Sequence, residues 1–347
     1  MRQQFVFKSS KLDDLNNQLI FFFEAIYFQS LTADVAWNDN FIHYKLKPIY
    51  DKCTKLRTLL KAVHSNFVLS SSNNKLKVYN AALNSSNIEA ICNTTINSLN
   101  KKDLSQNVGN AIHDLYKYMY YQLPQTKIFK SIYGELIDHY KALKNATRIK
   151  MCPFCGLEPI KPLKSKVKQT YDHYLALSEY PFHGICTKNY VPTCRTCNED
   201  YKHSKDSHYL NPQRTIRRKL FYPYGTYNYQ VTLNLLNISL DNTNLKINNC
   251  NVSVNCSDST LQNEVNSWID IYEINTRYKN IIEDDSDNWY VEFFDFLTLK
   301  VNDGTYVSTP LTYNDYLDSL SVQESTNNSF LKKSYFENIR PLTTVFN

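Results

Sequence analysis

The chain has 347 residues, of which 42% are hydrophobic and 21% charged, with a formal net charge of +6. These proportions exclude a disordered polyelectrolyte and leave room for a sizeable core in two or three domains. The apolar run Leu19 to Phe23 is cut by Glu24 and falls far short of the roughly 20 residues that span a bilayer, so no membrane role is expected.

Met1 to Ile20 carries Asp13 and Asp14 and lacks a small-residue cleavage pattern, so no secretory signal is expected. A reducing, cytoplasmic setting would leave the nine cysteines as free thiols. The sequence contains no P-loop or glycine-rich phosphate cradle, and no ATPase activity of its own is expected.

Residues 1–148 carry helical periodicity. Leu12, Leu15, Leu19, Phe22, Phe23 and Ile26 form one stripe, and Ile112, Leu115, Tyr116 and Met119 form another. Ile128, Ile132, Leu136 and Leu143 predict one helix over about 125–146, after a break at Pro124. Five or so helices would bury these faces in an N-terminal helical domain that docks a partner or cradles a substrate.

Residues 149–225 hold the most informative pattern: Cys152-Pro-Phe-Cys155, then Asp172-His173, then Asn189-Tyr-Val-Pro192-Thr-Cys194-Arg195-Thr-Cys197-Asn198. Each Cys-x-x-Cys can place two thiolates about 2.3 Å from one tetrahedral zinc, and two pairs close the site, so this Zn2+ would be structural. Thirty-eight residues separate Cys155 from Cys194, against roughly fifteen to twenty in an ordinary four-cysteine module. The insert carries Asp172 and His173 on a segment of strand character from Lys168 to Leu175.

Positive charge gathers here. Between Lys141 and Tyr222, sixteen Lys and Arg face six Asp and Glu, a net +10, leaving −4 for the rest of the chain. That concentration suits a polyanion such as nucleic acid. Lys202, four residues after Asn198, falls on the same face of an α-helix, where it would meet a phosphate. Arg195 and Lys168 are further nucleic-acid candidates, whereas His183, His203 and His208 read as solvated.

Residues 226–347 form a mixed strand and helix region. Tyr227, Tyr229, Val231, Leu233 and Leu235 alternate, as do Leu245 and Ile247, then Val252 and Val254, with Asp241 to Asn244 as the turn. A helix over Leu261 to Lys279 follows, with Val265, Trp268, Ile269 and Tyr272 on one face.

The ordered pattern of a Cys pair, Asp-His, and Asn-x-x-Pro-x-Cys-x-x-Cys-Asn resembles the HNH endonucleases, the ββα-metal or His-Me finger family, in its zinc-stapled subgroup. The resemblance covers roughly residues 150–205. It implies an α+β chain in which an HNH nuclease module stands between the helical and mixed regions. It also implies metal-dependent hydrolysis of phosphodiester bonds, in DNA more readily than RNA. By the same resemblance His173 would be the general base, Asp172 and Asn198 would hold a catalytic Mg2+ or Mn2+, and Asn189 would orient the loop and the ring of His173. Members with large flanking regions serve as effectors of bacterial anti-phage defence, some beside a regulatory or ATPase partner protein, which makes that a further expectation. Two rivals stay open: a noncatalytic zinc-containing nucleic-acid-binding module, and an RNA-cleaving toxin.

Overall fold

Local sequence divides the N-terminal part more finely than periodicity alone. The computed structural model describes residues 6–32, 36–147, 150–162, 171–203, 205–227, 230–302, 304, 309–322 and 328–346. Among them the N-terminal part forms α1 (Asp13–Gln29), α2 (Lys47–Lys52), α3 (Thr54–Val68), α4 (Ser72–Leu83), α5 (Ile88–Cys92), α6 (Gln106–Tyr121), α7 (Lys127–Tyr133) and α8 (Leu136–Thr147). The single helix expected over 125–146 is instead α7 and α8. Gly134 separates them at φ +82°, a conformation open to glycine at little steric cost.

The predicted stripes face one another. Leu19, Phe22, Phe23 and Ile26 of α1 share a buried cluster with Leu56, Leu60 and Val63 of α3 and Ile112, Leu115, Tyr116 and Met119 of α6. Each such side chain removes enough apolar surface from water to contribute about 1.5–3 kcal/mol.

Two short strands follow, β1 (Tyr171–His173) and β2 (Tyr190–Pro192), antiparallel, with Asp172 opposite Val191 and His173 opposite Tyr190. The predicted strand start at Lys168 lies outside the described residues. The loop between β1 and β2 dips into the helical bundle. Phe182 and Ile185 belong to the helical core, and the Phe182 ring lies 5.4 Å from Phe23 and 5.7 Å from Tyr116.

A second hairpin, β3 (Val231–Leu240) with β4 (Ile247–Cys256), turns through the expected Asp241 to Asn244 segment, where Asp241 accepts from the Thr243 amide at 2.8 Å. The strand starts later than the alternation suggested. The Tyr227 hydroxyl accepts from the Tyr222 amide at 2.8 Å, which fixes Tyr227 in the preceding turn, and Tyr229 lies outside the described residues. Helices α9 (Gln262–Tyr272), α10 (Ile274–Asn302), α11 (Thr309–Val322) and α12 (Ser329–Ile339) complete the chain. The helix expected over Leu261 to Lys279 is broken at Glu273, which is left-handed at φ 50°.

The protein is therefore an α+β structure, 58% helical with two small sheets. Hydrophobic packing crosses the boundaries expected near residues 148 and 225. Phe154, Tyr174 and the four paired cysteines share one cluster with Ile88 and Leu143 before them and Trp268, Tyr272 and Tyr278 after them. Among the described residues no helix is long and apolar enough to cross a membrane.

Candidate metal centre and active site

Cys152, Cys155, Cys194 and Cys197 are all buried, and their sulfurs lie within 4.8 Å of one another. The Cys155 and Cys194 sulfurs are 3.8 Å apart, the edge length of a tetrahedron whose corners stand about 2.3 Å from its centre. The cluster can hold a metal such as zinc.

Backbone amides already point at this sulfur set. Leu157 donates to Cys155 Sγ at 3.4 Å and Cys197 donates to Cys194 Sγ at 3.3 Å. From α10, Arg277 donates to Cys197 Sγ at 3.3 Å, stacks its guanidinium 4.3 Å from the Tyr201 ring, and pairs with Glu158 at 3.5 Å. The other three thiols, assisted by Arg277, hold Cys155 well below the ordinary thiol range. Arg277 escaped the sequence reading because it lies eighty residues from Cys197 with no local signal. Trp268 donates to the Phe154 carbonyl at 2.7 Å and Tyr278 to the Cys155 carbonyl at 2.8 Å, so α9 and α10 clamp the first Cys turn.

His173 stands at the end of β1. Its Nε2 lies 2.9 Å from the Gly184 carbonyl oxygen. A carbonyl can only accept, so Nε2 carries the ring proton and Nδ1 keeps the lone pair. Among the described residues no hydrogen bond is made to Nδ1. Tyr120 from α6 packs edge-on against the ring at 4.2 Å and Tyr190 does so at 5.3 Å. Burial pushes His173 down to about 4, with the Gly184 carbonyl opposing and the Lys202 ammonium adding to the shift. The imidazole is neutral at pH 7, as a proton acceptor must be.

Asn189 is fully buried and braces the loop that supplies that carbonyl. It accepts from the Leu175 amide at 2.7 Å and donates to the Leu175 and His183 carbonyls at 3.0 and 3.1 Å. Its side chain thus ties the end of the loop back to Leu175 and to His183, the residue before Gly184.

Asp172 and Lys202 form a buried ion pair. Lys202 Nζ lies 2.5 Å from Asp172 Oδ1 and 2.5 Å from the His173 carbonyl oxygen. Asp172 Oδ2 is buried without a hydrogen-bond partner. Burial pushes the Asp172 carboxyl up, and Lys202 opposes that shift.

The expectation that Lys202 meets a phosphate is therefore corrected, although it does line one cleft with Asn198. The residue is 5% exposed and its ammonium is turned onto Asp172. The reason is tertiary: Asp172 and the His173 carbonyl, both on β1, take up the ammonium, while Thr196–Tyr201 is π-helical and the Lys202 amide bonds to the Cys197 carbonyl five residues back at 3.1 Å. The wider turn keeps Lys202 beside Asn198 and brings His203 round to them. Asn198, Lys202 and also His203 line one cleft, although His203 would be rotated away from Asn198 on an α-helix.

That cleft measures about 450 Å³ and has Asp172 and His173 among its lining residues. The His113, Lys117, Tyr120 and Tyr121 face of α6 also lines it, residues without a local signal in the sequence. Arg195 is exposed and paired with Glu199 at 2.6 Å, and Lys168 lies outside the described residues.

Two histidines read as solvated are buried instead. His183 Nδ1 bonds to the Ser85 carbonyl at 2.8 Å and its Nε2 lies 2.6 Å from Ser98 Oγ, while His208 Nε2 accepts from the Ser98 amide at 3.4 Å. His203 is exposed, as expected.

No protein family, curated protein or solved structure matches this chain. What can be said of its chemistry rests on these residues.

Proposed function

We propose that the cleft hydrolyses phosphodiester bonds of nucleic acid, in the manner of an HNH endonuclease. The observation that carries this reading is the fixed tautomer of His173. With Nε2 committed to Gly184, the basic Nδ1 is available to take a proton from water. The water oxygen forms the new bond to phosphorus as its proton passes to Nδ1, and the bond from phosphorus to the leaving 3′ oxygen breaks.

The residues present fit a hard divalent cation. Asp172 Oδ2 is a buried oxygen without a partner, and Asn198 adds an amide oxygen to the lining of the same cleft. This donor chemistry suits Mg2+ or Mn2+. An ion held there supplies positive charge beside the phosphate. Asp172 and Asn198 would hold it, Lys202 fixes the carboxylate, and Asn189 and Gly184 keep the base in its tautomer.

The Lys202 to Asp172 contact also favours a second reading, a noncatalytic nucleic-acid-binding module in which the ammonium takes the cation's place. Cleavage of plasmid DNA, single-stranded DNA and total RNA in EDTA, Mg2+ or Mn2+, run beside His173→Ala, separates the two. Metal-dependent cutting lost in His173→Ala supports the hydrolase. Binding without cutting, unchanged in His173→Ala, supports the module. Cutting of RNA alone would identify an RNA-cleaving toxin.

A further inference from the structure

We propose that Lys117 and Tyr121 on α6 form a subsite for an unpaired nucleotide, so that the cleft takes single-stranded nucleic acid in preference to duplex. This deepens the hydrolase reading and rests on it for the identity of the polymer.

The two residues stand four apart on α6 and line the same cleft as Asp172 and His173. Spacing of that kind puts both side chains on one helical face. Tyr121 is 55% exposed, an unusual expense of apolar surface for the end of a well-packed helix. Its neighbour Tyr120 meets it edge-on at 4.8 Å and 82°, an arrangement that supports the ring from the side and leaves a face for another flat ring. Lys117 is exposed, and among the described residues it makes no ion pair. Among the described residues the cleft is lined by two carboxylates, and each is paired within the chain, Glu199 with Arg195 at 2.6 Å and Asp172 with Lys202 at 2.5 Å, which lessens their repulsion of a phosphate.

An aromatic face next to a lysine is the pairing that binds single strands without sequence preference. The ring stacks a base and the cation meets the backbone. A duplex turns its bases inward and offers Tyr121 no exposed face. The depth of the site points the same way, since His173 is 8% and Asp172 2% exposed. A flexible strand can lower its phosphate to that floor more readily than a stiff double helix.

The test is fluorescence anisotropy with full-length His173→Ala protein in buffer without added Mg2+ or Mn2+ and without chelator, so that nothing is cut and the four-cysteine cluster keeps its metal. The probes are fluorescein-labelled oligothymidylate, oligouridylate and a blunt mixed-sequence duplex. The expected result is single-strand binding about ten-fold tighter than duplex, with the DNA and RNA arms showing which sugar is preferred. Tyr121→Ala should weaken single-strand binding roughly ten-fold, the scale of one base-aromatic stack. Tyr121→Phe should restore it, and Lys117→Ala should weaken it and lessen its salt dependence. Duplex binding as tight as single-strand binding, or a Tyr121→Ala protein that binds like its parent, overturns the subsite. If these preferences hold but protein with His173 intact cuts neither strand in Mg2+, the hydrolase reading falls and the subsite stands.

Discussion

The Lys202 ammonium rests 2.5 Å from Asp172 Oδ1 while Asp172 Oδ2 has no partner. One carboxylate oxygen is neutralised from within the chain, and the other is left buried and unpaired. Replacing Lys202 with Met should strand a buried negative charge and cost about 3 kcal/mol of stability in buffer without added Mg2+ or Mn2+. Mn2+ should return much of that loss, because a divalent ion then supplies the missing positive charge. Urea unfolding of both proteins with and without Mn2+ reads the effect. Equal Mn2+ stabilisation of the two would show that Lys202 and the ion do not meet at Asp172.

Gly184 is the narrowest point of the support for His173. A Cβ there would stand 2.5 Å from Leu177 Cδ1 and 3.0 Å from the Pro181 carbonyl oxygen. Gly184→Ala should therefore shift the carbonyl that holds Nε2 and lower cleavage about ten-fold or more, while far-ultraviolet circular dichroism stays unchanged. Tyr190 donates its hydroxyl to the same carbonyl at 3.0 Å, so Tyr190→Phe should have a weaker effect of the same kind. Full activity in Gly184→Ala would falsify the link between that carbonyl and the base.

The metal centre and the cleft should separate experimentally. Cys194→Ser should remove metal from the four-sulfur cluster and loosen the packing of α9 and α10 on it, because metal binding and folding share one free energy. His173→Ala should keep both the bound zinc and the fold. Elemental analysis and a thermal melt of the two variants check this, and equal loss of folded protein in both would contradict it.

Acid should destabilise the loop that carries Gly184. Burial pushes His183 from its ordinary 6.5 down to about 4, against the pull of the Ser85 carbonyl. Above pH 6.5 the ring is neutral whether the chain is folded or not. Between 6.5 and about 4 the unfolded chain takes a proton that the folded one refuses, so stability falls as pH falls, by on the order of 3 kcal/mol in all. His208, across Ser98, is also held well below its ordinary range, by burial and then by Arg217, His183 and Arg214. Urea midpoints from pH 7.5 to 4.5 should show a shallower slope in His183→Gln than in the parent, and matching slopes would refute the assignment.

Adjacency in sequence decided what could be read in advance. Each Cys-x-x-Cys pair and the Asp172-His173 step is local, and those residues come together where spacing placed them. The α6 and α1 stripes were legible because one face of each is apolar at helical period. Lys202 does share a face with Asn198, but the partners of its ammonium were not legible, because Asp172 and His173 lie about thirty residues upstream. His183 and His208 were misread because the groups that bury and bond them, Ser85 and Ser98, lie about a hundred residues upstream. The α6 wall of the cleft was invisible for the same reason, since Lys117 and Tyr121 precede the hairpin by some fifty residues.

Phe182 and Ile185 lie in the core of the helical bundle, a few residues from the carbonyl that orients His173. This makes the hairpin a poor candidate for transplantation. Cut out alone, it would expose two large apolar side chains and lose the ring contacts with Phe23 and Tyr116 that hold the loop down. Any ligand that tightened or loosened the bundle around Phe182 would thereby reach the His173 ring mechanically, without touching the cleft.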